Sequence, residues 1–314
     1  MRLLLKRMVL LSLLLLTVLT GLWRLLPVDQ DHFFAATIDK HRRLAQASSP
    51  KIVLVGGSNL ACGVDSERLQ QALHQPVVNM GLHADIGLAY MLAEIRDHLS
   101  SGDQVIIVPE YEQFFGLRNG HMGVLKVMSY QRRGWRHLHT CGQWQVVILQ
   151  ALNYLQGKVK YALEEVFRVP RDAQYQIYHR GGFNEFGDLI AHLDRPRIPL
   201  QEKTMPLLKE KKFDRHCLAL INQFDQEMRK KSVRVCIIYP GYYDRLLRRN
   251  EKAMTAIRHA FSQLACPILG TPERYAFPQE CFYDTEYHLN RVGRALRTQR
   301  MIEDLSGFVS IGER

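Results

Sequence analysis

The chain has 314 residues, of which 46% are hydrophobic and 23% are charged. These values are typical of globular proteins and exclude an intrinsically disordered chain. The formal net charge of +11 indicates attraction to anionic surfaces, namely phospholipid headgroups, acidic polysaccharides or nucleic acids. Charge alone does not choose among these three partners.

The N-terminus is the first predicted element. Arg2, Lys6 and Arg7 precede an apolar run over residues 8–23, and Arg24 follows it. This run is slightly shorter than the roughly 18 to 20 residues of a membrane-spanning helix. Neighbouring leucines can extend it while the basic side chains reach the two interfaces. A cleaved signal peptide has a similar pattern, but no small-x-small cleavage site follows directly, so we favour an uncleaved anchor.

The basic residues before the apolar run keep that end of the helix in the cytoplasm, according to the positive-inside rule. We therefore predict a transmembrane signal anchor over residues 1–27 and an exported chain from residue 28 onward. Residues 28–50 are predicted to be a stalk, and residues 51–314 the exported domain. Because an exported chain is a poor candidate for nucleic-acid binding, we expect no nucleic-acid partner.

The stretch from residue 51 to residue 66 has the sequence KIVLVGGSNLACGVDS. Its apolar residues 52–55 run into Gly56, Gly57 and Ser58, which predicts a buried strand that ends in a tight turn. In an open parallel sheet, ligands bind in the crevice beyond the carboxyl ends of the strands, so the Ser58 hydroxyl is placed for chemistry. The alternative is that Gly-Gly-Ser forms a turn for backbone reasons alone.

From residue 51 onward, strand and helix patterns alternate, which predicts an α/β fold with a flavodoxin-like, three-layer parallel sheet. Further strands are predicted over residues 76–80, 105–108, 233–239 and 266–269, and helices over residues 65–73, 84–99, 206–231 and 250–264. A last helix is expected to turn Leu289, Val292, Leu296 and Met301 inward. Residues 116–205 interrupt the pattern and are predicted to form a mostly helical insertion beside the crevice, with one helix over residues 143–167.

The six cysteines are compatible with an oxidising compartment, but no pair has the CxxC spacing of a zinc or redox site, and their pairing stays open. His137, His139 and Cys141 could be drawn as metal ligands. No second cluster of ligands accompanies them. We therefore predict no metal site and no cofactor.

Asp284 and His288 lie just before the last predicted helix, and the loop that holds them is expected to open on the same sheet edge as Ser58. A serine hydroxyl is a weak nucleophile until a histidine accepts its proton, and a carboxylate must orient that histidine. Such pairs also arise by chance, as at Asp31/His32, Asp97/His98 and Asp214/His216. A helix-entry aspartate beside a surface histidine is the alternative interpretation.

Taken together, these residues resemble the SGNH (GDSL-like) hydrolase family. The resemblance consists of GGSN at residues 56–59, Gly81 after a short second strand, the acidic third strand end at Glu110, and the late Asp284/His288 pair. More narrowly, the chain resembles a membrane-anchored bacterial branch of that family. This branch includes proteins of alginate and other exopolysaccharide O-acetylation and the teichoic acid D-alanylation protein.

The resemblance covers about residues 51–115 and 232–305 and implies roles for individual residues. Ser58 would be the nucleophile, His288 the general base and Asp284 its orienting carboxylate. The backbone N–H of Ser58 and that of Gly81 would form an oxyanion hole.

Two features depart from the family pattern. The third block of the family usually offers an Asn side chain to the oxyanion hole, whereas this chain has PEYE at residues 109–112; Asn59 or Asn79 is then the remaining candidate donor. The family usually places two residues between its Asp and His, whereas three intervene here. Glu110 and Tyr111, at the end of the third strand, are expected to contact the substrate.

The implied activity is that of a serine-dependent O-acyltransferase or carbohydrate esterase that acts on a cell-envelope or exported polysaccharide through an acyl-enzyme. The resemblance also implies a polytopic membrane O-acyltransferase as partner, and a bacterial inner membrane location with the catalytic domain on the periplasmic side. Two alternatives stay open, a non-catalytic glycan-binding accessory protein and a lipid esterase at the membrane surface. The acyl group, the acceptor, and the choice between transfer and hydrolysis are not decided.

Overall fold

The computed structural model describes residues 1–131, 133–202, 205, 207–208 and 212–310. Five strands form one parallel sheet at its centre, in the order β2-β1-β3-β4-β6. The strands are β1 (Ile52–Gly56), β2 (Val77–Asn79), β3 (Gln104–Val108), β4 (Arg234–Ile238) and β6 (Ile268–Leu269); two more, β5 (Tyr242–Tyr243) and β7 (Ala276–Phe277), pair with each other outside it. The predicted α/β class with a parallel sheet is confirmed.

The central strands read as uninterrupted apolar runs because both of their faces are covered. Every residue of β1, β2 and β3 is buried. A strand that is solvated on one face would alternate apolar and polar side chains, whereas parallel strands buried on both sides do not. In the register of the sheet, Ile52 lies opposite Val77 on one side and opposite Gln104 on the other.

Helices precede, connect and follow the strands. They are α1 (Arg2–Leu25), α2 (Thr37–Gln46), α3 (Ser58–Gly63), α4 (Ser66–Leu73), α5 (Leu88–Ile95), α6 (Met122–Tyr130), α7 (Cys141–Val166), α8 (His216–Lys230), α9 (Asp244–Arg249), α10 (Glu251–Phe261) and α11 (Arg291–Ser310). The helix expected over residues 84–99 is divided, because Gly87 has a positive φ of 80° between a 3-10 turn and α5. The helix expected over residues 206–231 begins at His216 in the described chain, and residues 206 and 209–211 lie outside it.

The N-terminal helix α1 is 24 residues long, with a mean hydropathy of 2.1 over its most apolar 18-residue window, and none of that window is buried. By length and composition it could cross a membrane. A signal sequence near an N-terminus would pass the same test.

The segment that we expected to be a stalk, residues 28–50, packs against the body instead of standing free. Phe33, Phe34 and Leu44 are buried and belong to the hydrophobic core. The buried Lys40 Nζ donates to the carbonyl oxygens of Asn79 and Gly187, and burial lowers its pKa to about 7. Apolar contacts and directional hydrogen bonds therefore hold α2 against the end of β2.

The last helix turns a different face inward from the one expected. Leu289 and Met301 are buried, but Val292 and Leu296 are 61% and 45% exposed. The reason is that Leu289 precedes α11, in an extended bridge with Phe282, and so does not share the periodicity of the helix. The buried face of α11 carries Arg297 and Thr298 as well as Met301 and Leu305.

If residues 33–46 belong to the core, Leu44→Ala should lower the free energy of unfolding by about 2–5 kcal/mol, because truncating a buried leucine leaves a cavity. Leu296→Ala on the exposed face of α11 is the matched control and should change it by no more than about 0.5 kcal/mol. Urea unfolding of the full chain in detergent, followed by circular dichroism, measures both changes. Equal, small effects of the two substitutions would contradict the packed position of this segment.

Candidate active site

Ser58 is the first residue of α3, directly after the turn that ends β1. β1 lies between β2 and β3, which is the point where the order of strands along the sheet reverses. In open parallel sheets, ligands bind outside the carboxyl ends of the strands at such a point. The preceding residue must be glycine, because a Cβ at Gly57 would lie 2.5 Å from Glu110 Oε1 and 2.9 Å from the Ala84 nitrogen.

The Ser58 hydroxyl donates a hydrogen bond of 3.1 Å to Glu110 Oε1. The same oxygen accepts from the Asn59 backbone N–H at 2.7 Å and from the Asn59 side-chain amide at 3.3 Å. Within the described chain, no hydrogen bond joins Ser58 to His288. The structure therefore does not contain the expected serine–histidine hydrogen bond. The Ser58 hydroxyl donates to the buried Glu110 carboxylate instead.

Arg297 supplies a buried positive charge behind Asn59. Its guanidinium donates to the Asn59 carbonyl oxygen and, at 2.8 Å, to Asn59 Oδ1. Burial lowers the pKa of Arg297 to about 10, although the charges of Tyr275 and Glu110 act in the opposite direction. Asn59 thus connects Arg297 to Glu110, and its N–H groups are engaged rather than free to stabilise an oxyanion.

The Gly81 N–H, which we expected in the oxyanion hole, donates to Asn79 Oδ1 at 2.9 Å. The Asn79 side-chain amide donates in turn to the Leu60 carbonyl oxygen and to Asp188 Oδ1. Gly81 lies beside the residue that precedes Ser58, since a Cβ on it would be 3.0 Å from the Gly57 carbonyl oxygen, but its N–H is already occupied. Of the expected donors, the Ser58 backbone N–H is the one that has no hydrogen bond to another residue in the described ranges.

Asp284 and His288 form the predicted pair. His288 Nδ1 lies 2.8 Å from Asp284 Oδ1 and 2.9 Å from the Tyr178 hydroxyl, and that hydroxyl donates to Asp284 Oδ2 at 2.6 Å. An imidazole that donates its Nδ1 proton to a carboxylate has its lone pair on Nε2. His288 Nε2 has no hydrogen-bond partner among the residues described, so this nitrogen is available to accept a proton.

Each member of the pair shifts the pKa of the other toward the charged form. Burial lowers the pKa of His288, but the hydrogen bond and charge of Asp284, with further help from Glu110 and Glu286, outweigh burial and raise it overall. Burial raises the pKa of Asp284, and the hydrogen bonds from His288 and Tyr178 with the histidine charge outweigh it and lower it overall. The opposite signs agree with an imidazolium–carboxylate pair, which is the arrangement that stabilises a histidine after it has accepted a proton.

Tyr287 ties the loop of this pair to the end of β3. Its hydroxyl accepts from the Tyr111 backbone N–H at 3.1 Å and donates to Glu112 Oε2 at 2.6 Å. Burial raises the pKa of Glu112 to about 8, although the bond from Tyr287 acts against it. Because Glu110 and Glu112 follow the same strand, the His288 loop and Ser58 approach one edge of the sheet.

Glu110 and Tyr111, expected to contact a substrate, are only 4% and 1% exposed. The Tyr111 ring packs edge-on against Tyr242, with centroids 5.0 Å apart. In this structure Tyr111 therefore packs within the wall of the crevice, and the Glu110 carboxylate accepts hydrogen bonds from Ser58 and Asn59.

Sequence reasoning missed Tyr178 and Arg297. Tyr178 comes from an irregular part of the segment between β3 and β4, where no periodicity identifies which side chain turns inward. The inward position of Arg297 could have been predicted, because it lies four residues before Met301, which was expected to face inward, and residues four apart share one face of a helix. Among the described residues, no group of three or more His, Cys, Asp or Glu side chains is placed to share a metal ion.

Replacing Asp284 with Asn removes the charge and the acceptor that favour imidazolium, so the pKa of His288 should fall, and burial should then take it below the ordinary 6.5. A titration of the imidazole by NMR measures the shift. Asp214→Asn removes a half-buried carboxylate from a different histidine, His216, and should leave the His288 titration unchanged. A His288 pKa that stays raised in Asp284→Asn would refute the pairing.

The shifted pKa values of Asp284 and His288 also make the stability of the fold depend on pH. A raised histidine pKa stabilises the fold fully below 6.5 and loses that contribution as pH rises through the folded-state pKa, whereas a lowered aspartate pKa stabilises above 3.8 and loses it as pH falls. The stability difference between the wild type and Asp284→Asn should therefore be largest between these two values. Urea unfolding at several pH values measures it.

Sequence comparison does not assign a family to this chain. The search of family models and the search of curated proteins both give no match. The functional argument therefore depends on the residues and hydrogen bonds described above.

Proposed function

We propose that the protein is a membrane-anchored, serine-dependent acyl transferase or esterase of the SGNH hydrolase type, acting on a cell-envelope or exported polysaccharide. One observation carries the proposal: the 2.8 Å hydrogen bond between Asp284 and His288, whose side chain is 13% exposed and whose Nε2 is unpartnered among the described residues. This is the tautomer that a general base needs. Its loop approaches the sheet edge at which Ser58 begins α3.

The strand order supports this type of fold. Counted along the sheet, the order 2-1-3-4 followed by the next strand is that of flavodoxin-like, doubly wound sheets, in which the ligand lies beside the first strand. The long connection between β3 and β4 contains α6, α7 and α8. Its part at about residues 116–205, which includes α6 and α7, is the insertion of our proposal. The domain that carries the chemistry extends from residue 51 to the end of the chain.

The proposed reaction begins with Ser58 Oγ. The hydroxyl leaves Glu110, attacks the acyl carbonyl and transfers its proton to His288 Nε2, while Asp284 stabilises the imidazolium. The Ser58 N–H is the available donor for the oxyanion. The tetrahedral intermediate expels the donor's leaving group, which takes the proton from His288, and the acyl group remains as an ester on Ser58. A sugar hydroxyl or water then attacks that ester, with His288 again accepting the proton. The bond between Ser58 Oγ and the acyl carbon breaks, and Ser58 Oγ takes the proton back from His288.

The proposed surroundings of the reaction follow from the resemblance and from α1. A polytopic membrane O-acyltransferase would supply the acyl group, and a polysaccharide or other cell-envelope glycan would accept it. The net charge of +11 favours an acidic glycan over a neutral one. We place α1 in the bacterial inner membrane and the rest of the chain on its periplasmic side.

A non-catalytic accessory protein that holds glycan beside a membrane enzyme is the second candidate. The bond from Ser58 to Glu110 favours it, because the hydroxyl is held away from its base. A carboxylate beside the nucleophile would also oppose the negative charge that develops on the substrate oxygen. The two candidates differ in whether Ser58 becomes acylated.

Ser58→Ala separates these candidates. With p-nitrophenyl acetate and the full chain in detergent, the wild type should release nitrophenol and gain the mass of one acetyl group on the peptide that contains Ser58. Ser58→Ala should do neither, because the nucleophile is gone. Ser101→Ala, in an exposed turn, is the control and should behave as the wild type. Equal rates for the wild type and Ser58→Ala would remove the catalytic proposal for simple esters.

Glu110→Gln and His288→Gln identify the base. His288→Gln should lower the rate by about 10²- to 10⁴-fold. Glu110→Gln keeps an oxygen for the Asn59 N–H but removes a charge that opposes the oxyanion, so its rate should equal or exceed that of the wild type. A loss in Glu110→Gln as large as in His288→Gln would make Glu110 the base and contradict our assignment.

The pH profile gives a second measurement on the same variants. Because the pKa of His288 is raised, the wild-type rate should increase with pH through a value above 6.5. Glu110 contributes to that raised pKa, so in Glu110→Gln the increase should move to lower pH. An unchanged profile would show that the charge of Glu110 does not act on His288, and a shift to higher pH would contradict the sign of its effect.

A further inference from the structure

Helix α7 exposes an apolar surface that no described part of the chain covers. Eight large apolar side chains along the helix and at its end are exposed to solvent. We call this set the α7 stripe: Trp144, Ile148, Leu149, Leu152, Val159, Leu163, Val166 and Phe167. Monomeric soluble proteins seldom expose a continuous apolar patch of this kind unless it binds something.

The stripe follows the helical repeat. Most of its members recur at spacings of three, four or seven residues, and Leu149 and Phe167 directly follow another member, which places the set on one side of the helix. A different side carries the buried residues Gln143, Tyr154, Leu155 and Lys158, which face the body. α7 has 26 residues and is about 39 Å long at 1.5 Å per residue. One side of α7 therefore packs on the protein, and a second, apolar side is open along most of this length.

α7 lies against the end of α1. The rings of Trp23 and Tyr154 are 4.7 Å apart, and Lys158 Nζ donates to the Trp23 carbonyl oxygen. A groove of about 640 Å³ separates the last turns of α1 from α7. It is lined mainly by apolar side chains, including Leu19 and Leu22 of α1 and Leu152, Val159, Leu163 and Phe167 of the stripe.

Basic side chains flank the stripe at both ends. Arg133 and Arg136 precede α7, and Arg168 and Arg171 follow it, all exposed. Arg171 also forms ion pairs with Asp29 and Glu165. Trp135 is also exposed, and the Arg136 guanidinium carbon lies over its ring, 5.6 Å from the ring centroid. Tryptophan and arginine favour the boundary between acyl chains and headgroups, and arginine is attracted to lipid phosphates.

We propose that α7 lies in the surface of the membrane that holds α1, with the α7 stripe toward the acyl chains and the flanking arginines at the lipid phosphates. Continuity with α1 favours lipid over a second copy or another protein. If Leu19 and Leu22 are surrounded by acyl chains, the side of α7 across the groove lies at a similar depth. This proposal depends on insertion of α1 but not on the proposed catalysis.

Fluorescence quenching by brominated lipid tests the proposal on the full chain. The chain is reconstituted into phosphatidylcholine–phosphatidylglycerol vesicles after Trp23, Trp135 and Trp144 have been replaced by Phe, and one tryptophan is then introduced at a time. Leu152→Trp reports on the stripe. Asn153→Trp, exposed on the neighbouring polar side, is the matched control. Leu13→Trp reports on α1.

Bromines on the acyl chains should quench Leu13→Trp and Leu152→Trp, and should leave most of the Asn153→Trp fluorescence. Quenching of Leu13→Trp without quenching of Leu152→Trp would overturn the proposal, and is the result expected if a second copy or another protein covers the stripe. An unquenched Leu13→Trp would overturn it too, because α1 would then not be inserted. Circular dichroism checks the fold of each variant, and Val159→Trp replaces Leu152→Trp if that variant does not fold.

Discussion

The carboxylate of Glu110 is the group on which the crevice depends. One of its oxygens accepts three hydrogen bonds, from the Ser58 hydroxyl and from both N–H groups of Asn59, and Arg297 lies on the far side of Asn59. A charge buried away from water is costly unless other groups bond to it and balance it. Here the bonds come from the residues that follow β1, and the balancing charge comes from α11. The need to satisfy one carboxylate therefore fixes how three distant parts of the chain meet at the candidate nucleophile.

The sheet could be read from the sequence because burial on both faces leaves an unambiguous pattern. Residues 52–55 and 105–108 are continuous apolar runs, and both are strands at the expected places. Segments that depend on tertiary contacts were harder to predict. Residues 33–46 have a basic, mixed composition typical of a linker, but Lys40 bonds two backbone carbonyl oxygens that no local pattern reveals. The inward face of α11 was misjudged because Leu289, although apolar and correctly buried, precedes the helix.

In the candidate site too, the local sequence pattern could be read, whereas the contacts between distant residues could not. Asp284 and His288 could be paired from the sequence because they are four residues apart and chemically complementary. The partners of the Gly81 and Asn59 N–H groups could not be foreseen, since Asn79 Oδ1 and Glu110 Oε1 reach them only in the folded chain. Tyr178 lies 106 positions before Asp284, so no local sequence pattern predicts that its hydroxyl contacts the pair. The sequence predicts a set of Ser58, His288 and Asp284, whereas in the structure the Ser58 hydroxyl donates its hydrogen bond to Glu110.

The bonds between Arg297 and Asn59 have a consequence for the order of events during biosynthesis. The two residues are 238 positions apart in the sequence. Polypeptides begin to fold from the N-terminus while they are still being made. The strand that presents Ser58 leaves the ribosome well before α11, which carries the cation that balances its neighbouring carboxylate. Synthesis must therefore continue through Arg297 before the crevice can acquire its mature electrostatic environment, and a product that stops before α11 would carry the serine without it.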